Sequence, residues 1–235
     1  TTLFRSNQNG YEITELIPGL SNKDTNSADG ALFCADVAML ADGRIFAVGG
    51  TAYYSEPGSN LIGYGLTELE GLRNSRAYNP NTNRWTQMAD MNFGRWYPSV
   101  VTLSDSKLFV ASGVTKLLKP IYPQAPEQSG RNVVVTETFT APDSNNPKGK
   151  WTDNGPAAQR SLPLYPRMHL LPNGHVLYNA GGQAFNPFGQ SIDQPLWNIA
   201  ATYNPGTASW SDLAYAGLPF TFSEAGLESL TKLFN

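Results

Sequence analysis

Short apolar runs separated by turn residues occupy most of the chain. Three of them share the same local order, in which a polar turn precedes three or four apolar residues and glycine follows shortly after them. The runs are residues 45–48, 108–111 and 176–178. Apolar runs of this length beside Asp-Gly or Asn-Gly signals predict short buried β-strands joined by tight hairpins. We therefore predict an all-β fold of antiparallel strands.

A longer repeat surrounds each apolar run, because an irregular segment, a second turn and a tryptophan follow it in that order. The tryptophans are Trp85, Trp151 and Trp210, spaced 66 and 59 residues apart. This order is typical of kelch repeats, whose blades of four antiparallel strands bury their faces against neighbouring blades. Insertions at 51–74 and 114–131, which we interpret as loops, explain why the spacing exceeds the roughly 50 residues usual for kelch.

The domain organisation predicted from this repeat has three parts. A weakly patterned lead-in covers residues 1–30 with one short strand at 11–14, about three four-stranded blades cover 31–219, and a tail covers 220–235, where residues 223–230 predict a short amphipathic helix. Propellers typically have about four to eight blades, so three cannot close a ring. We expect either a fragment of a larger propeller or open edges that another segment covers, because uncovered edges promote aggregation.

Composition limits the function classes without selecting one. Only 15% of the 235 residues are charged and the net charge is −3, which gives no electrostatic support for binding nucleic acid or an anionic membrane. No apolar run approaches the roughly 18 residues of a membrane-spanning helix, and no signal peptide is visible. Because the chain begins at Thr1, we expect a mature or excised piece of a protein.

The single cysteine occupies a repeated position. Cys34, Tyr97 and Tyr165 each lie six residues before the leucine of a hairpin turn. In a propeller these side chains fall on one rim, and Cys34 and Tyr97 come from neighbouring blades near the axis. A single cysteine excludes a disulfide within the chain. On the residues alone, a buried inert thiol and a reactive or modified thiol both remain open.

Four motifs around this position resemble the copper-radical oxidases, in particular the glyoxal oxidase and galactose oxidase-like branch. They are FC at 33–34, GLRNSRAYNP at 71–80, MNFGRWYP at 91–98 and LPLYPRMHLLPNG at 162–174. The likeness runs in order over roughly residues 30 to 215. It implies a kelch-type propeller of seven blades in the family, of which this chain would hold about three.

The resemblance implies a cofactor built from two side chains. In that family a thioether bond joins a cysteine to the ortho carbon of a tyrosine that binds copper and carries the oxidising radical. By position these residues are Cys34 and Tyr97, with Tyr97 as the metal ligand and Trp96 as the adjacent aromatic that could shield the radical. The implied reaction is oxidation of an aldehyde, a primary alcohol or a carbohydrate by O2 to give H2O2. It removes two electrons while copper cycles through one, so a protein radical supplies the second.

The family's other copper ligands have no match in this chain. They include a tyrosine followed directly by histidine and a further histidine, whereas this chain has no Tyr-His dipeptide and only two histidines, His169 and His175. We therefore predict that this chain alone is not a competent oxidase, and that missing blades or a partner segment complete the ring.

Two alternatives to an oxidase remain open. One is a non-catalytic kelch module whose insertions form a binding surface, and the other is an inactive truncated homologue. The expected location, extracellular or at the cell surface, comes from the family resemblance alone.

Overall fold

In the residues that the structure describes, the regular secondary structure is β-sheet, apart from one 3₁₀ turn at Pro156–Ala158. The computed structural model describes residues 2–7, 10–15, 32, 34–55, 67–119, 130–179, 199–212 and 214–215. No helix in these ranges is long and apolar enough to cross a membrane. The prediction of an all-β fold is confirmed for the described residues.

The strands are short and number nineteen in the described ranges. In chain order they are β1 (Thr2–Asn7), β2 (Gly10–Glu15), β3 (Ala35–Met39), β4 (Ile45–Gly49), β5 (Thr51–Ser55), β6 (Thr67–Gly71), β7 (Ser75–Asn79), β8 (Arg84–Gln87), β9 (Ser99–Thr102), β10 (Leu108–Ala111), β11 (Val114–Lys119), β12 (Gly130–Asn132), β13 (Glu137–Thr140), β14 (Lys150–Asp153), β15 (Met168–Leu170), β16 (Val176–Tyr178), β17 (Ile199–Asn204), β18 (Ser209–Trp210) and β19 (Ala214–Tyr215).

Three antiparallel meanders follow one another along the chain. The first sheet has the order β3-β4-β7-β8, the second has β9-β10-β13-β14, and the third has β15-β16-β17-β18 with β19 also paired to β17. A separate hairpin joins β1 and β2, which contains the strand predicted at 11–14. Each sheet therefore has the strand order that a propeller blade requires.

Strand β10 shows why the sheets pack against each other. All four of its residues are buried, and alternate side chains of a strand point to opposite faces of its sheet. Leu108 and Val110 join a core with Phe46 and Val48 of the first sheet. Phe109 and Ala111 join a core with residues of the third sheet. The second sheet is thus buried on both faces, as its continuous apolar run predicts.

The predicted tryptophan repeat corresponds to a repeated aromatic pair. In each sheet the tryptophan lies directly opposite a second aromatic residue on the neighbouring strand. The pairs are Tyr78–Trp85, Phe139–Trp151 and Tyr203–Trp210, with ring centroids 5.3, 5.2 and 5.2 Å apart and interplanar angles of 49°, 51° and 52°. The three sheets are therefore structural repeats of one another.

For the described residues, the interpretation of the two insertions as loops is wrong. Their strands β5, β6, β11 and β12 form an additional four-stranded sheet, the insertion sheet, with the order β12-β11-β6-β5. Its centre pairs β6 with β11, and Leu69 lies opposite Leu117. The two strands come from different repeats, so no local sequence pattern shows that they are partners.

The apolar residues 133–135 lie outside the second sheet, because β13 begins at Glu137. The backbone before it bonds to other segments, with Val133 donating to the Gly113 carbonyl and Val134 accepting from Arg160. The helix predicted at 223–230 lies outside the described residues.

Candidate functional site

The first strands of the three meanders lie side by side. Strand β9 packs against both β3 and β15. The Asp36 carboxylate on β3 accepts a 2.7 Å hydrogen bond from the Val100 N–H on β9, and the Thr102 hydroxyl donates a 2.8 Å bond to the Met39 carbonyl. Because the repeated position of Cys34, Tyr97 and Tyr165 comes just before these strands, its three residues lie at one end of the group.

The backbone links these three residues directly. The Tyr97 N–H donates to the Cys34 carbonyl and the Tyr165 N–H donates to the Tyr97 carbonyl, each at 3.0 Å. All three have left-handed backbone conformations, with φ of 63°, 61° and 49° respectively. That region costs a non-glycine residue about 1–2 kcal/mol. Strain of this kind concentrates at functional sites, and here it recurs at the same position of each repeat.

The Tyr97 ring is stacked between two other aromatic rings. The Trp96 ring lies 4.0 Å from it with an interplanar angle of 12°, and the Tyr165 ring lies 4.5 Å from it with an angle of 27°. Two rings this close and nearly parallel to a third would overlap if they shared one of its faces. Trp96 and Tyr165 therefore cover opposite faces of Tyr97.

Cys34 belongs to the same side-chain cluster. It is buried with Trp96, Val114 and Leu164, and the partly buried Tyr97 packs against this cluster. The structure thus brings together Cys34, Tyr97 and Trp96, the three site residues that the sequence predicted. A thiol and a phenol ring in one cluster can form a covalent bond if an oxidant is supplied.

The insertion sheet is attached to the segment that carries Trp96. Continuing the register of β6 and β11 would pair Leu72 with Val114. Instead, Leu72 bridges to Arg95 and Val114 bridges to Trp96. The Trp96 N–H donates to the Val114 carbonyl at 2.9 Å and its carbonyl accepts from the Val114 N–H at 2.8 Å. Arg95 and Trp96 therefore lie between the ends of the two strands, and the insertion sheet is attached to the segment directly before Tyr97.

A fully buried ion pair fixes the position of the same segment. The Arg95 guanidinium lies 2.8 Å from the Glu137 carboxylate, and neither side chain is exposed. The guanidinium also donates to the Ser112 and Val135 carbonyls, and the second Glu137 oxygen accepts from the Asn92 N–H at 2.7 Å. Burial lowers the pKa of Arg95, while the negative charge of Glu137 and its hydrogen bond oppose that shift.

Glycines allow the backbone to approach this segment closely. A Cβ at Gly94 would overlap the Gly71 carbonyl oxygen, and a Cβ at Gly49 would overlap the Arg95 carbonyl oxygen. The Gly50 N–H donates to that Arg95 oxygen at 3.1 Å. The backbone at Gly49 and Gly94 therefore approaches its neighbours more closely than a residue with a Cβ would allow.

Tyr165 is a site residue that the sequence placed in the repeat without assigning it a role. Its hydroxyl donates a 3.2 Å hydrogen bond to the Ala35 carbonyl, which belongs to the first repeat. Burial raises the pKa of Tyr165, with further contributions from Cys34, Tyr97 and Asp36. The sequence signal for Tyr165 was its equivalence to Tyr97 in the repeat. No sequence signal predicts that Arg95 pairs with Glu137.

The described residues do not fit a complete copper site. They contain no group of three or more His, Cys, Asp or Glu side chains that could hold a metal ion. His169 lies exposed on β15, and His175 lies in the hairpin turn at the far end of that strand from Tyr165. At the Tyr97 end, the structure as described supplies phenols but no imidazole, whereas copper(II) prefers several nitrogen and oxygen ligands.

Comparison with known proteins finds a distant similarity to one described protein. No protein-family model matches the chain. Over 158 residues, 65% of this chain, the sequence is 25% identical to an aldehyde oxidase. That relative is aldehyde oxidase GLOX of Vitis pseudoreticulata, and the match covers 24% of its length. The chain thus spans about a quarter of the length of this relative, to which it has a distant similarity.

Proposed function

We propose that this chain is part of an oxidase of the glyoxal oxidase type and that Cys34 and Tyr97 form its thioether cofactor. The observation that carries the proposal is the shared cluster of Cys34 and Tyr97, with the Tyr97 ring held between two aromatic rings. The distant similarity to an aldehyde oxidase supports the same reaction class. The substrate would be a small aldehyde or a primary alcohol, including a carbohydrate, with O2 reduced to H2O2.

The cofactor would form by a balanced oxidation. The S–H hydrogen of Cys34 and the ring hydrogen ortho to the Tyr97 hydroxyl leave as two protons and two electrons, and a bond forms between Sγ and that carbon. O2 accepts them and becomes H2O2. Trp96 and Tyr165 would then shield the modified ring from solvent on its two faces.

Copper is proposed for the whole oxidase from the family resemblance. Bound copper would supply one-electron redox chemistry beside the modified tyrosine. Tyr97 is the ligand that this chain would contribute, and the imidazole ligands would come from outside the described residues. We therefore propose that the chain needs further sequence or a partner segment for turnover.

The same proposal covers the architecture and location. The three meanders would be consecutive blades of a kelch-type propeller across 31–219, between a lead-in at 1–30 and a tail at 220–235. Further blades would close the ring. By resemblance, the protein would act outside the cell or at its surface.

Thiol titration tests the cofactor proposal. After aerobic incubation with copper(II) and denaturation, we expect the wild-type chain to lose its one thiol, while Tyr97→Phe retains it because its ring lacks the activating hydroxyl. Retention of the wild-type thiol would refute the proposal. Equal loss in Y97F would also refute it, because that result indicates oxidation of sulfur alone.

A non-catalytic binding module remains the second candidate. The observation in its favour is the insertion sheet, an ordered element that both insertions build together. This candidate predicts an unmodified Cys34 and no release of H2O2 from aldehydes when copper is present, even after the missing segments are supplied.

A further inference from the structure

We propose that Tyr165 is a positioning residue that clamps the Tyr97 ring and so determines which ring edge faces Cys34. The inference deepens the proposed function, on which its cross-linking part rests. Tyr165 makes three contacts with two different repeats.

The first contact is through the backbone. The Tyr165 N–H donates to the Tyr97 carbonyl at 3.0 Å. The neighbouring Leu164 is fully buried in the cluster that contains Cys34 and Trp96. The main chain at Tyr165 is thus fixed to the main chain of the residue that it would control.

The other two contacts are made by the side chain. The Tyr165 ring stacks on the Tyr97 ring at 4.5 Å, and its hydroxyl continues to the Ala35 carbonyl at 3.2 Å. Ala35 directly follows Cys34. The Tyr165 side chain therefore extends from the third repeat across the Tyr97 ring to the backbone beside the thiol.

Covering both ring faces restricts rotation of Tyr97 about the Cβ–Cγ bond. A phenol ring has two ortho carbons, and the thioether uses one of them. A ring that flips freely presents each edge to Cys34 only part of the time, and loss of orientation slows a reaction between neighbouring groups. Trp96 alone covers one face, so the second stacked ring completes the restraint.

Ring dynamics and bond formation can be measured on the same set of variants. Tyr165→Leu removes the stacking and the hydroxyl, while Tyr165→Phe removes only the bond to Ala35. Tyr203→Leu is the matched control, because Tyr203 also lies in the third repeat and stacks on an aromatic ring, Phe109, at 4.3 Å. Chains are prepared without copper, and ¹³C-labelled tyrosine reports whether the two edges of Tyr97 give separate or averaged NMR signals.

We expect separate edge signals in wild type and Y203L, and averaged signals in Y165L. On exposure to copper and air, we expect Y165L to lose its thiol at least about tenfold more slowly than Y203L, with Y165F between them. Unchanged edge signals and an unchanged cross-linking rate in Y165L would overturn the proposal. If wild type forms no cross-link, the cofactor proposal fails and the NMR comparison alone decides whether Tyr165 is a clamp.

Discussion

The main chain around Tyr97 leaves this residue little conformational freedom. The N–H groups of residues 95, 96 and 97 donate to Leu72, Val114 and Cys34, and their carbonyls accept from Gly50, Val114 and Tyr165. Every backbone polar group of this three-residue segment is therefore hydrogen-bonded to a residue outside the segment. Such an arrangement can maintain the left-handed conformation of Tyr97, whose φ is 61°, against its conformational cost.

Breaking the buried ion pair between Arg95 and Glu137 should destabilise the protein strongly. Glu137→Ala leaves the Arg95 guanidinium buried without its carboxylate, so we expect a loss of about 3–5 kcal/mol in the free energy of unfolding. Urea denaturation measures this loss.

The control for this variant is an exposed ion pair. Lys107→Ala removes the pair with Asp105, whose side chains are 44% and 51% exposed, and should cost less than about 1 kcal/mol. The double variant Arg95→Met, Glu137→Met should recover part of the loss, because no buried charge remains. Equal effects of E137A and K107A would show that the buried pair does not hold the segment.

At this level the sequence predicted which residues meet but not how they are held. Counting positions within the repeat was sufficient to place Cys34 and Tyr97 together. The left-handed conformations could not be predicted, because cysteine and tyrosine rarely adopt them. The partner of Arg95 is 42 residues away, and a contact at that distance has no local sequence signal.

The hairpins after β3, β9 and β15 show how one element is repeated with different residues. Each turn contains the same two backbone hydrogen bonds. In the first turn, the Leu40 N–H donates to the Arg44 carbonyl and the Gly43 N–H donates to the Leu40 carbonyl. The third turn residue is left-handed in all three, with φ of 83° at Gly43, 66° at Ser106 and 81° at Gly174. The second repeat therefore uses a serine where the other two use glycine.

Replacing that serine with glycine should stabilise the protein. Ser106→Gly removes a left-handed strain of about 1–2 kcal/mol, offset by the greater freedom of glycine in the unfolded chain, about 0.5–1 kcal/mol. We expect a net gain of roughly 0.5–1 kcal/mol and a Tm about 2 °C higher. Gly43→Ser is the reciprocal control, since a Cβ there meets no atom within 4 Å. A lower Tm for S106G than for wild type would contradict this interpretation.

The attachment of the insertion sheet should be sensitive to one methyl group. Gly94→Ala places a Cβ against the Gly71 carbonyl oxygen, which should cost about 1–3 kcal/mol through overpacking and displace Trp96 from Tyr97. We expect slower loss of the Cys34 thiol in copper and air as well as a lower unfolding free energy. Gly206→Ala is the control, because a Cβ there is nearest to a side-chain atom of Asn204, at 3.2 Å. If the two variants behave alike, the close approach at Gly94 has no structural role.

The strands of the meanders were predictable because each has a local apolar pattern and its own turn. The insertion sheet was not predictable, because its central pair joins strands from different repeats. Its strands are also bordered by glycine- and proline-rich sequence, which is typical of loops.

In the whole molecule, the two ends of the three-sheet stack differ. The indole N–H of Trp151 donates to the Ala89 carbonyl at 3.0 Å, and that of Trp210 donates to the Ala158 carbonyl at 2.9 Å. Each acceptor lies in the segment that follows the preceding sheet. The corresponding nitrogen of Trp85 in the first sheet is buried without a hydrogen-bond partner in the described part of the chain. On strand β3 of the same sheet, Val37 and Met39 are 56% and 55% exposed. Within the described residues, the first sheet therefore lacks the indole hydrogen bond that each of the other two sheets makes to the segment following the preceding sheet.

Removing the indole nitrogen should therefore have unequal effects. Trp210→Phe should cost about 1 kcal/mol or more, because it loses a hydrogen bond as well as ring area. Trp85→Phe should cost less in this chain, although its ring makes the same aromatic pair. Thermal unfolding of both variants measures the difference. A cost for W85F equal to that for W210F would show that the indole hydrogen bond of Trp210 adds no stability.

The most direct test of the cofactor is peptide mass spectrometry after aerobic exposure of this chain to copper. Complete trypsin digestion of the denatured chain places Cys34 in residues 24–44 and Tyr97 in residues 96–107. We expect a joined pair of peptides that is two hydrogens lighter than their sum, with the bond at the Tyr97 ring. Two separate peptides with an alkylated Cys34 would leave the β-sheet architecture unchanged and would exclude a Cys34–Tyr97 thioether in this chain.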